Sequence, residues 1–106
     1  MPNWLPKVLS RVRTLAAERR VRFTLKAQRE LAILGLDPVD GCDVLVKLKT
    51  GDAAGRLRSA GTGEWMYVFK PATLGDVVYV KLVLRTDCVV VSFHEDEGGR
   101  DEQEEL

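Results

Sequence analysis

Residues 76–95, DVVYVKLVLRTDCVVVSFHE, decide how the rest of this chain is read. Val77 to Arg85 and Cys88 to His94 are rich in β-branched residues, which suit a pleated, half-buried surface. Thr86-Asp87 lies between them and can close a short hairpin, although it is not the favoured Asn-Gly pair. With those two residues as the turn, Arg85 is expected opposite Cys88, Leu84 opposite Val89, Lys81 opposite Ser92 and Tyr79 opposite His94. Neighbouring side chains of a strand point to opposite faces. One face then carries Val78, Val80, Leu82, Leu84, Val89, Val91 and Phe93, all apolar and expected to be core. The other mixes Tyr79, Lys81, Arg85, Ser92 and His94 with Val77, Val83, Cys88 and Val90. The one histidine of the chain therefore faces a tyrosine and lies diagonal to a lysine. Opposed Cβ atoms are about 5 Å apart and diagonal ones about 7–8 Å. A phenol, an ammonium and an imidazole can converge there on one bound group.

Outward from the hairpin, strands precede it and helices precede those. Glu64 to Lys70, EWMYVFK, alternates Trp65, Tyr67 and Phe69 against Met66, Val68 and Lys70, and Pro71 ends it. Residues 53–60, AAGRLRSA, read as a weak, polar strand near a sheet edge. Arg56 and Arg58 share one face of it and join the face of Tyr79 if Leu57 points inward. At the N-terminus, Leu5, Val8, Leu9, Val12, Leu15 and Ala16 repeat at helical spacing and predict a helix over residues 5–19. Residues 21–23 read as an extended link. Thr24 can cap a second helix, Leu25 to Leu34, with Gly35 as its C-terminal stop. Asp37-Pro38 starts a third, running to about Leu48, with Val39, Cys42, Leu45, Val46 and Leu48 apolar. Gly41 inside it weakens its propensity.

Helices first and strands after describe an α+β domain. The expectation is three N-terminal helices packed on one face of an antiparallel sheet of about four strands, leaving the face of Tyr79, Lys81 and His94 open. Residues 1–95 form one domain; residues 96–106 form an acidic tail expected to be disordered.

Composition narrows the function classes. At 45% hydrophobic and 30% charged the chain is an ordinary globular sequence. No apolar run approaches the roughly 20 residues of a membrane span. Cys42 and Cys88 are isolated, without metal-ligand spacing, and read as reduced thiols of a cytoplasmic protein. The formal net charge of +0 is unevenly spread: residues 95–106 hold seven acids and one arginine, so residues 1–94 carry the compensating positive excess. A basic body suits a polyanionic ligand.

The runs RVRFTLKAQRELAILGLDPVDGCDVLVKL and GDVVYVKLVLRTDCVVVSFHED, with Trp65 and Pro71 between them, resemble the MqsR family of bacterial type II toxins. VYVKL followed by VVVSF at this distance is its most specific part. The RelE/ParE-like superfamily shares the helices-on-sheet design. The resemblance implies a toxin of a toxin–antitoxin system: an endoribonuclease (mRNA interferase) that needs no cofactor and no metal. It implies mRNA, free or ribosome-bound, and a cognate antitoxin as partners. In that family a tyrosine on the penultimate strand is catalytic, and Tyr79 matches it. A family lysine after the last Ser-Phe is His94 here; one on the first strand region falls at Ala54-Gly55-Arg56; a glutamine after the tryptophan is Met66.

RNA cleavage by the 2′-hydroxyl needs a base, charge on the pentacoordinate phosphorane, and an acid for the leaving 5′-oxygen. Histidine changes charge near neutral pH and serves either proton role. His94 is read as general acid and Tyr79 as the group that orients the 2′-hydroxyl or phosphate. Lys81 and Arg56 supply charge at the phosphorane. Arg58 and Lys70 hold flanking phosphates, and Trp65 or Phe69 stacks an unpaired base. The alternative is a RelE/ParE-like binder of ribosome, RNA or a DNA-processing enzyme with no chemistry of its own.

Overall fold

The computed structural model describes residues 2–73 and 75–97. Helix α1, Leu5–Ala17, buries Leu5, Val8, Leu9, Val12, Leu15 and Ala16, the residues that its periodicity singled out. It stops two residues short of the expectation because Arg19 adopts a left-handed φ of 59°, and the Arg20 N–H closes back on the Leu15 carbonyl at 2.8 Å. Strand β1 is Val21–Phe23. Helix α2, Leu25–Ile33, is capped by Thr24, whose hydroxyl accepts from the Ala27 N–H at 3.1 Å. Helix α3, Pro38–Val46, begins in a reciprocal cap: Asp37 accepts from the Asp40 N–H and Asp40 from the Asp37 N–H.

Helix α3 ends at Val46 rather than near Leu48, and Val39 and Val46 face outward, 56% and 37% exposed. Its inward face is Gly41, Cys42 and Leu45. Gly41 has a packing reason to be there: a Cβ would lie 2.7 Å from the Phe23 ring. A 3-10 turn at Thr50–Asp52 then leads into β2, Ala53–Arg58. Strands β3, Trp65–Phe69, β4, Ala72–Thr73, β5, Asp76–Leu84, and β6, Cys88–Glu95, follow.

The sheet order is β1-β6-β5-β3-β2, with β4 paired to β5. The expected meander of β2, β3, β5 and β6 is present, but the sheet has six strands and is mixed, not four and antiparallel. The extra strands are short. Val21–Phe23 runs parallel to Cys88–Val90, too brief to show a period of its own. It covers part of an edge that β6 would otherwise leave open. Beyond it, α2 closes the edge with side chains: Glu30 accepts from the Phe93 N–H at 2.8 Å, and the Val91 carbonyl accepts from Thr24 Oγ1. Buried residues of all three helices join Phe69, Val78, Val80, Leu82, Cys88, Val90 and Phe93 in one core.

The hairpin register differs at its turn end. Three residues, 85–87, form the loop, so Leu84 pairs with Cys88 and Val83 with Val89. A bulge then makes Lys81 and Leu82 oppose Ser92 and Val90, leaving Val91 as the extra residue. From there Lys81 pairs with Ser92 and Tyr79 with His94. Cys88 and Val90 are therefore core, and Val89 and Val91 are not, the reverse of the expectation. The wider loop frees its polar residues. Arg85 reaches Glu64 through two bonds of 2.9 and 2.7 Å, and Asp87 lies 3.5 Å from both Arg20 and Arg22.

Candidate functional site

The sheet face away from the core is set by the alternation of β5. Tyr79, Lys81 and Val83 lie on it because Val78, Val80 and Leu82 point into the core. Tyr79 and His94 are stacked, ring centroids 4.9 Å apart and planes within 9°. The His94 Nδ1 sits 2.8 Å from the Glu95 carbonyl. A carbonyl only accepts, so Nδ1 carries the proton and Nε2 remains for proton transfer.

Lys70 continues β3 onto this face, its Nζ 5.9 Å from the Tyr79 ring centroid. Asp96 stands beside it at 3.6 Å, pinned by its N–H to the Val77 carbonyl. Its Oδ1 is buried without a hydrogen-bond partner among the described residues, so the charge of Lys70 is what balances it. Lys81 lies between Val68 on β3 and Ser92 on β6. Ser92 is 4% exposed and accepts from Lys26 Nζ at 2.9 Å. Lys26 also pairs with Glu30 at 3.0 Å. An open cavity of about 440 Å³ between α2 and β6 is bordered by Lys26, Ile33, His94 and Glu95.

Lys26 and Glu30 are functional candidates that the sequence did not single out. Their signal was an i,i+4 charge pair, common on any solvated helix. What it could not show is that α2 lies along the free edge of β6.

The remaining candidates lie elsewhere. Arg56 pairs with Tyr67, which pairs with Leu82, and Arg58 pairs with Trp65. Paired residues share a face, so Arg56, Arg58 and Trp65 stand on the helix side, opposite Tyr79, Lys81 and His94. The expectation that both arginines join the open face fails because Leu57 does not point inward. An irregularity between Ala53 and Gly55 sets the phase of β2, and Gly55, buried with φ 141°, is what pairs with Val68 beside Lys81. Arg56 stacks on Trp65 at 3.8 Å and lies 5.3 Å from Trp4. Phe69 is fully buried in the core and offers no platform for a base. Met66, where the resemblance implies a glutamine, pairs with Val83 on the face of Tyr79.

The largest shifts of acidity lie away from this face. Arg85 pulls the Glu64 carboxyl down to about 2 through its two hydrogen bonds, and burial pushes the Cys88 thiol up to about 12. Among the described residues no three His, Cys, Asp or Glu side chains cluster closely enough to hold a metal ion, and no helix is long and apolar enough to cross a membrane.

Three helices packed against a six-stranded mixed sheet, with a tyrosine, a histidine and lysines on the opposite face, define an α+β domain. The family described as "Motility quorum-sensing regulator, toxin of MqsA" matches residues 6–95, and the chain belongs to it: the MqsR toxins of toxin–antitoxin systems. A search of curated proteins finds no match.

Proposed function

We propose that this chain is an endoribonuclease that cuts single-stranded mRNA in the cytoplasm by attack of a 2′-hydroxyl on the adjacent phosphate. The observation that carries the reading is the Tyr79–His94 stack flanked by Lys70, on the sheet face opposite the helix-packed core, with Tyr79 7% exposed. The Tyr79 phenol orients the 2′-hydroxyl, whose proton passes to water. The 2′-oxygen bonds to phosphorus while the bond from phosphorus to the 5′-oxygen breaks. His94, as imidazolium, delivers the Nε2 proton to that leaving oxygen; such proton transfer contributes about 10²–10⁴-fold. Lys81 and Lys70 place positive charge where the phosphorane develops it. Lys70 takes the part that sequence reasoning gave to Arg56. Lys26, held at Ser92, stands where a flanking phosphate would pass.

The family description names its members as toxins of MqsA, and a cognate antitoxin is the partner we propose for this chain. The test uses purified protein, single-stranded RNA and excess EDTA. Fragments ending in 2′,3′-cyclic phosphate, with no cut where the attacking 2′-hydroxyl is replaced by hydrogen, are the expected result. Intact RNA, free or in a ribosome-bound message, would leave the binder without chemistry as the better reading.

A further inference from the structure

We propose that Arg56, Arg58 and Trp65 form a second, non-catalytic anchor for single-stranded RNA on the helix side of the sheet. It takes a segment several nucleotides away from the bond that is cut. This rests on the RNA-cleavage reading and extends it to a surface on the opposite side of the sheet.

Three observations support it. The first is preorganisation. Both guanidinium carbons lie close to the Trp65 ring centroid, at 3.8 Å for Arg56 and 4.1 Å for Arg58. Trp4 lies 5.3 Å from the Arg56 guanidinium and 5.3 Å from the Tyr67 ring. Arg58 is fixed further by donating to the Gly63 carbonyl at 2.6 Å. A guanidinium stacked on a ring keeps its N–H groups in its own plane, free to reach phosphate oxygens in pairs.

The second is charge. Arg19, Arg20, Arg22 and Arg85 each have a carboxylate partner. Arg56 and Arg58 have none among the described residues, and Glu64, next to Trp65 in the chain, is occupied by Arg85. Two like charges two residues apart on one strand face repel each other. A polyanion supplies the missing counter-charge.

The third is position. β2 is the outer strand of the sheet. Only β3 separates it from β5, so the step from the row of Tyr79 to the row of Arg56 is about 10 Å at the usual strand spacing. A strand of RNA that leaves the open face can turn round the β2 edge and meet the two arginines. An acidic protein segment would satisfy the charge as well. RNA is favoured because stacked guanidinium and indole planes can be continued by an unpaired base.

The test measures binding apart from cleavage, with fully 2′-O-methyl RNA, which has no attacking hydroxyl. Fluorescence anisotropy compares a 4-nucleotide with a 16-nucleotide oligomer, for the wild type and for Arg56→Gln/Arg58→Gln. The double variant should bind the long oligomer on the order of tenfold more weakly. Its log K against log salt slope should be shallower by about 1.4, two phosphate contacts at about 0.7 each. The short oligomer should show neither change. Arg56→Lys/Arg58→Lys, which keeps the charge, should retain most of the slope and serves as the folding control. Equal losses on both lengths, or an unaltered slope, would overturn the anchor. So would unaltered RNA binding with lost affinity for the cognate antitoxin, which would give the surface to a protein partner. If the wild type shows the arginine-dependent slope but never cuts RNA, the cleavage reading fails and the anchor stands. If it cuts and the variant is indifferent, the anchor alone fails.

Discussion

On one side of the sheet Tyr79 and His94 lie ring on ring, with Lys70 close by and Asp96 held against Lys70. On the other, Arg56 and Arg58 lie against Trp65 with no carboxylate paired to them among the described residues. Both sides combine aromatic rings with cations. The first group is partly buried, locally balanced in charge, and contains a side chain able to move a proton. The second has none that titrates near neutrality, and it is left positive. The difference separates a place suited to chemistry from one suited to holding a charged chain. It follows from strand alternation: a change of one residue in phase exchanges the two sides.

Adjacent residues on β6 give the sharpest way to break this comparison. Phe93 is fully buried in the core and His94 is on the other face. Phe93→Ala should cost about 3–5 kcal/mol of stability by chemical denaturation. His94→Ala should stay within about 1 kcal/mol of the wild type yet lower kcat about 10²–10³-fold. A His94 variant as unstable as the Phe93 variant would make the imidazole a packing group.

Gly41→Ala should come next, at about 1–3 kcal/mol, because the added methyl meets the Phe23 ring. Phe23→Leu in the same chain should relieve part of that loss, which a double-mutant cycle would show. Tyr79→Phe keeps the ring against His94 and removes only the oxygen. It should lower kcat by about tenfold with little change in stability, since it tests orientation rather than proton transfer.

The smallest effects concern Cys88 and Glu64. Cys88 should resist iodoacetamide in the native state at pH 8, because burial holds its thiol protonated up to about 12. Glu64 has a folded pKa of about 2, below its usual 4.5, owing to Arg85. Its contribution is therefore present above about 4.5 and lost as pH falls toward 2. Arg85→Ala should flatten that part of the stability–pH curve and leave neutral-pH activity unchanged.

Much of the fold was written in local patterns. The apolar spacing of α1, the Thr24 and Asp37 caps and the β-branched runs of β5 and β6 each name their element. The pairing of Tyr79 with His94 was reached through a wrong turn: a two-residue loop without a bulge and a three-residue loop with one give the same partners beyond Val91. Three consecutive valines, Val89 to Val91, carry no polar mark that would tell one phase from the other. What fixes it is distant, namely Arg85 bonded to Glu64 and Asp87 near Arg20 and Arg22. The side taken by Arg56 was hidden for a similar reason, since it depends on the irregularity at Gly55 in a strand of weak alternation. The tail beyond Glu97 lies outside the described residues; Asp96, which the sequence reading assigned to it, is bonded to Val77 and paired with Lys70.

The central claim is that His94 protonates the leaving oxygen of an RNA held against Tyr79. It is tested most directly with a substrate whose 5′-bridging oxygen at the cut is replaced by sulfur, a leaving group that needs no proton. Single-turnover rates in EDTA should show His94→Ala slower by at least about 10² on ordinary RNA and close to the wild type on the sulfur substrate. An equal loss on both substrates would contradict the account.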